Sequence, residues 1–214
     1  CRTERRPDGS VCYSWQGVEV EHHTRLFDLY NPLLGGYLSA LVVKHGFTDI
    51  RTEDGASLPV PSPLPNLLSL NAHLLKHIMG HGVGLRQFCD MARAYHALRG
   101  SYSPGELEAV YRRTGLLRWS AQLHTFLTEH LGLPRDVLPY AGTDARTSPR
   151  LLHIVLEGGN FGQYGKTRAK ASRAGWERKL HTFLSFWRHR DFSGAYARGE
   201  AFWTSIKLIT GNLR

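Results

Sequence analysis

The sequence predicts an α+β protein that is mostly α, with an N-terminal β-hairpin followed by a helical bundle. Three observations lead there. Residues 11–26 alternate with period two around Gln16-Gly17, as a half-buried hairpin should. From about residue 66 onward, apolar residues recur at helical spacing between glycine and Ser-Pro punctuation. Between these regions lies "DGASLPVPSPLP", with four prolines within seven residues, which reads as irregular chain and a boundary near residues 57–65.

The hairpin comes first. "SVCYSW" and "VEVEHHTRL" alternate, so Val18 and Val20 share one strand face while Glu19 and Glu21 share the other. His22 and His23 follow at once. "NLLSLNAHLLKHIM" carries a helical stripe closed by Gly80 and Gly82, and "GLRQFCDMARAYHAL" carries a second, stopped by Gly100. Ser103-Pro104-Gly105-Glu106 is a capping box with proline at the first helical position. A further helix runs from about Arg118 to Leu131, ended by Gly132 and Pro134, and Ser148-Pro149 opens a short one. Two aromatic-rich amphipathic helices, near 174–190 and 195–210, complete the chain. No internal repeat is evident.

The 214 residues suffice for one large domain or two small ones, and their composition (42% hydrophobic, 21% charged) is that of a globular protein. No run approaches the length of a membrane span, so no membrane partner is expected. The start "CRTERRPDGS" has no signal-peptide core and no initiator Met, and reads as a trimmed or partial chain. Three scattered cysteines, Cys1, Cys12 and Cys89, are too few for a disulfide framework, and a reducing, cytoplasmic setting is expected. Of the net charge of +9, the segment from Asn160 onward carries +8, from eleven Lys/Arg against three acids. That asymmetry is either a solvated face or a surface for an anionic partner.

"EGGNFGQYGKT" looks like a phosphate loop, but the Walker spacing needs glycine where Asn160 stands. What remains is a glycine-rich connection, or a backbone nest for an anion helped by Lys166 and Arg168. His73, His77 and His81 fall at i, i+4, i+8: either packing histidines that hydrogen-bond neighbours, or a pair able to chelate zinc. Arg86 and Asp90 are spaced as an intrahelical ion pair. No nucleophile-elbow motif appears. Carboxylates on an open strand face suit two-metal phosphoryl transfer, since hard Mg²⁺ ions need rigidly held oxygens. A solvent-exposed hairpin face explains Glu19 and Glu21 as well.

"GVEVEHHTRLF", then "SPLPNLLSLNAHLLKHIMGHGVGLRQFCDMARAYHAL", then "ELEAVYRRTGLLRWSAQLHTFLTEHLGLP" resemble, in order and spacing, the bacterial family of uncharacterised nucleotidyltransferases of the polymerase-β-like superfamily. The resemblance covers most of residues 11–133. It implies a Mg²⁺-dependent transfer of a nucleotidyl group from a nucleoside triphosphate to an unknown acceptor. Glu21 would be the third metal-binding carboxylate and catalytic residue, with Glu19 as a further metal candidate. His22 would neighbour that site, and His73, His77, Arg86 and Asp90 would be family-pattern residues, structural or close to the nucleotide; apart from the resemblance, Lys166 of the glycine-rich segment is a further cofactor-binding candidate. The family's Gly-Ser turn and D-x-D strand cannot be fitted onto Gly9-Ser10 and Glu19-x-Glu21, because only eight residues intervene. The D-x-D strand is therefore expected upstream of Cys1, and this fragment is expected to be inactive or nearly so. On this reading residues 1–60 are a partial nucleotidyltransferase core, with the hairpin as its remnant. Residues 61–140 are a helical domain and 141–214 a basic helical segment. The alternative is a helical nucleic-acid-binding or protein-interaction module, supported by Trp176, Trp187 and Trp203 among Lys and Arg in the basic tail.

Overall fold

The computed structural model describes residues 3–5, 10–23, 25–80, 82–140, 146–158, 184 and 186–210. The predicted hairpin forms, with strands β2 (Val11–Trp15) and β3 (Val18–His22) in the register Trp15↔Val18 to Val11↔His22. Gln16 and Gly17 both take positive φ (50° and 80°), the two-residue turn whose twist matches antiparallel strands. A third strand, β1 (Thr3–Arg5), pairs antiparallel on the other side of β2, so the order is β1-β2-β3. The valines are not buried as the alternation suggested. Val18 lies against Trp15 at the turn end and both are 63% exposed. Val20 is half-buried, and apolar period-two alternation signals a buried face only where a second layer covers it.

The stretch between hairpin and bundle holds more structure than its sequence announces. After a 3-10 turn at Pro32–Leu34, α1 spans Gly35–His45 and ends at Gly46, whose φ of 68° favours glycine. A second hairpin follows, β4 (Phe47–Arg51) with β5 (Ser57–Pro61). The prolines do not exclude regular structure here. Pro59 and Pro61 lie two apart on β5, with their nitrogens turned away from β4, and Pro63 and Pro65 sit in the first turn of α2. Neither setting needs the missing N–H.

The bundle comprises α2 (Pro63–Gly80), α3 (Leu85–Ala97), α4 (Pro104–Thr114), α5 (Leu117–Leu131), α6 (Pro149–Gly158), α7 (Arg190–Tyr196) and α8 (Arg198–Thr210). Ser103 caps α4 by accepting the Glu106 N–H, but the Glu106 carboxylate does not return to the cap. It accepts from Lys44 Nζ at 2.6 Å and lies 3.2 Å from His45 Nε2, tying the end of α1 to α4. α5 is the central element, with every residue from Trp119 to Leu127 buried. Around it packs one core running from Phe27 to Ala201, to which α2 contributes Leu67, Leu68, Leu75 and Ile78. Phe192 of α7 meets the Trp119 ring edge-on at 6.0 Å. The helix expected near 174–190 lies largely outside the described residues, and the one near 195–210 corresponds to α8. Among the described residues no helix is long and apolar enough to cross a membrane.

Several polar groups inside this core are paired with one another. Asn71 Nδ2 donates to Ser120 Oγ at 3.1 Å, Tyr95 and Tyr111 join through their hydroxyls at 3.1 Å, and His124 Nε2 lies 3.0 Å from the Tyr95 hydroxyl. Burial pushes the pKa of His124 down to about 3, so the ring stays neutral in the folded state. The unfolded chain protonates it near pH 6.5, so this contribution is intact above that pH and is lost as pH falls toward about 3. We therefore expect His124→Asn to be less stable than the parent at about pH 7.5, with the gap closing by about 1.4 kcal/mol per pH unit below about 6.5. Urea melts at several pH values read that slope, and a gap independent of pH would contradict it.

Candidate functional site

The end of β3 turns toward the helical body. The Glu21 carboxylate, on a side chain 37% exposed, accepts a hydrogen bond at 3.0 Å from the hydroxyl of Ser10, which is buried beside it. His23, two residues on, places Nε2 3.9 Å from the same oxygen. Glu19 shares the Glu21 face by strand alternation and is exposed opposite Ser14. His22 is exposed on the other face, opposite Val11.

Beyond His23 the extended segment 25–30 lies along α2. Phe27 and Leu29 point into the core, and between them Asp28 is held from two sides. His73 Nδ1 lies 2.6 Å from Asp28 Oδ2, and Lys76 Nζ donates to Oδ1 at 2.8 Å. Burial alone would raise the Asp28 pKa; the hydrogen bonds from His73 and Lys76 outweigh it and hold the carboxyl well below its usual range. An ionised carboxylate only accepts, so His73 Nδ1 carries the proton. His73 Nε2 lies 3.0 Å from His77 Nε2, so one proton serves that contact. The two rings thus meet at i, i+4 by hydrogen bonding to each other. The His23 ring stands edge-on to His73 at 6.2 Å.

The strand end, the segment and two helices enclose a small cleft, lined by Ser10, His23, Arg25, Asp28, Lys76 and, from α8, Lys207. Its interior of about 20 Å³ suits a single water. Arg25, Phe27, Leu29 and Tyr30 form a wall shared with a larger apolar groove of about 540 Å³, closed on its far side by Leu38 and Val42 of α1. Lys207 Nζ sits 3.7 Å above the Tyr30 ring. Glu200, two helical turns before it, is buried and accepts the Tyr30 N–H. Burial pushes the Glu200 pKa up to about 7.

The other expected residues lie elsewhere. Arg86 and Asp90 are exposed on α3, line neither cavity, and form no ion pair among the described residues. Lys166, like His81 and the glycine-rich segment from Gly159, lies outside the described residues. Sequence reasoning missed Ser10, Asp28, Lys76 and Lys207; the one available signal was a lone acid inside the apolar run "RLFDLY". Among the described residues no three His, Cys, Asp or Glu converge to hold a metal ion. The arrangement therefore does not fit a complete metal centre. It gathers the cationic side chains of Arg25, Lys76 and Lys207 around a water-sized recess and orients the His73 and His77 rings by hydrogen bonds.

A family model described as "Uncharacterised nucleotidyltransferase" matches residues 2–132. Comparison with curated proteins and with solved structures returns no match.

Removing the Asp28 charge leaves Lys76 and His73 facing a neutral group in a largely enclosed site. Asp28→Asn should cost about 3 kcal/mol in urea unfolding at neutral pH. Because the folded carboxyl titrates below the unfolded one, the penalty should shrink as pH falls below about 4. A change under about 1 kcal/mol would show that the bridge is not the anchor described.

Proposed function

Since the chain belongs to the uncharacterised nucleotidyltransferase family, we propose that it serves the transfer of a nucleotidyl group from a nucleoside triphosphate to an acceptor, with the cleft beside Glu21 as the phosphate-facing corner. One observation supports this reading: Glu21, the carboxylate that the family resemblance singles out, accepts a hydrogen bond from buried Ser10, which lines a recess together with Arg25, Lys76 and Lys207. Arg25 and Lys207 supply positive charge at the mouth, where phosphate oxygens would be drawn by charge-assisted hydrogen bonds. Asp28 keeps His73 in one tautomer, and His77 then faces it with a shared proton. The neighbouring groove, apolar with Arg25 at its edge, offers a flat surface for a base or an acceptor.

Glu21 could furnish one oxygen to a divalent cation such as Mg²⁺, with Glu19 beside it on the strand. A hard ion of that kind neutralises triphosphate charge when bound. His22 and Arg86 remain nucleotide-side candidates by resemblance, and Lys166 remains one as a cation of the glycine-rich segment. A second reading has its own support: Arg190 stacks over the exposed Trp187 ring at 4.3 Å, a pair suited to a nucleic-acid base.

Calorimetric titration with nucleoside triphosphates, with and without Mg²⁺, tests the proposal. Arg25→Ala and Lys207→Ala should each weaken triphosphate binding by about tenfold, as loss of one charge-assisted contact does, and Glu21→Gln should reduce any dependence on Mg²⁺. The chain failing to bind any triphosphate at millimolar concentration would sink the assignment of this corner. A salt-sensitive single-strand affinity abolished by Trp187→Ala and untouched by Arg25→Ala would favour the second reading.

A further inference from the structure

The second hairpin, β4–β5, lies away from this cleft and has a feature that nucleotidyl transfer does not use. The Thr52 N–H donates to the Ala56 carbonyl at 2.9 Å and the Ser62 N–H to the Gly46 carbonyl at 3.2 Å. Antiparallel pairs alternate between hydrogen-bonded and non-bonded. With 46/62 and 52/56 bonded, the pairs 48/60 and 50/58 are bonded and 47/61, 49/59 and 51/57 are not. The backbone groups of Phe47, Asp49 and Arg51 therefore point away from β5. On β5 the corresponding outward positions include Pro59 and Pro61, which have no N–H to offer a further strand. One edge of the hairpin is blocked, and the other pairs with no further strand among the described residues.

This β4 edge has the composition of an interface. All five residues of β4 are exposed, including Phe47 at 60% and Ile50 at 47%, and Leu58 beside Ile50 is 48% exposed. Asp49 and Arg51 stand on one face, two residues apart, with no ion pair among the described residues. Long, open, apolar strand edges invite pairing with another strand unless something blunts them. Prolines blunt β5, whereas β4 has none, and its two charges, Asp49 and Arg51, are of opposite sign.

We infer that β4 pairs antiparallel with β4 of a second copy of this chain, about a two-fold axis at Ile50. The register follows from charge. An axis at Ile50 sets Asp49 of each copy opposite Arg51 of the other, and those pairs exchange their outward backbone hydrogen bonds. An axis at Asp49 would oppose two carboxylates, and one at Arg51 two guanidinium groups. The same axis brings Ile50 against its own symmetry mate at a non-bonded position, where side chains approach most closely. Leu58 flanks it on each side, giving one apolar strip across a four-stranded sheet. An isologous contact of this kind closes on itself and forms no fibre. The inference stands apart from the reading of the cleft, and either can fail without the other.

Sedimentation of the 214-residue chain across a concentration series tests it. The parent should show a concentration-dependent dimer. D49R and R51D each oppose like charges at both pairs and should weaken dimerisation by about tenfold or more. An equimolar mixture of D49R and R51D should recover association, because every pair across the seam is again acid against base. The double variant D49R/R51D should recover the homodimer. Circular dichroism checks the fold of each variant; if either unfolds, the milder D49N and R51Q must each weaken the dimer instead. A parent that stays monomeric at about 100 µM, a dimer that no charge change weakens, or swapped variants that fail to pair overturns the inference, and so leaves this edge to some other strand.

Discussion

The carboxylate of Asp28 is the constraint on which the placement of the N-terminal third depends. The three-stranded sheet has almost no core of its own: none of its strand residues with a described burial is buried, and Ser10 just before β2 is. What locates the sheet is the segment that leaves it. Phe27 and Leu29 enter the core, the Leu26 carbonyl accepts from Ser69 Oγ at 2.6 Å, and Asp28 lodges between His73 and Lys76. Apolar burial alone would let the segment slide along α2, because that helix is leucine-rich over several turns. The ion bridge forbids the slide. One turn toward the C-terminus, the same two positions are His77 and Gly80; one turn back, they are Ser69 and Ala72. Only the turn of His73 and Lys76 offers both a ring N–H and an ammonium. A buried ion pair adds little net stability over an apolar match, yet it rejects the wrong register strongly.

Two carboxyls flank this segment and are driven in opposite directions. Asp28 is partly buried but meets an ammonium and an imidazole, and its pKa falls. Glu200 is more deeply buried, meets the backbone N–H of Tyr30, and its pKa rises to about 7. The contrast is one of partner charge: a neutral dipole does not repay desolvation of a carboxylate, whereas a cation with a hydrogen bond does. Glu200 therefore sits half-protonated near neutrality while Asp28 stays ionised. The segment between them is gripped by a permanent charge on one side and a titrating group on the other.

What the sequence disclosed follows from the range of the interactions involved. The first hairpin was legible because Gln16-Gly17 and strict alternation are local signals, and α4 because Ser103 and Pro104 specify a start within one turn. α1 was not. "GGYLSALVVKH" opens on two glycines, contains paired valines, and buries only Leu41, so it has no helical stripe to read. β5 was hidden by its prolines, since whether a proline nitrogen faces its partner or the open edge depends on pairing parity, which no single strand contains. At the site, Glu21 stood out as an acid beside histidines, and His73 and His77 by their spacing. Their relation to Ser10, Asp28 and Lys207 was not legible, because it joins residues far apart in the chain through tertiary packing.

The C-terminal helices show why a count of charges is not a surface. In sequence the basic tail looks like one cationic run. In the fold its described members separate: Lys207 turns inward over Tyr30, Arg190 lies on Trp187, and Arg198 Nε donates to the Gly194 carbonyl. Lys207 and Glu200 belong to α8, beyond the residues that the family model matches, yet both touch the segment that carries Asp28. The wall of the cleft is thus built from both ends of the chain. A change in α8 that shifted Glu200 or Lys207 would act first on Tyr30, and so on the segment that also carries Asp28, from a helix outside the family-matched residues.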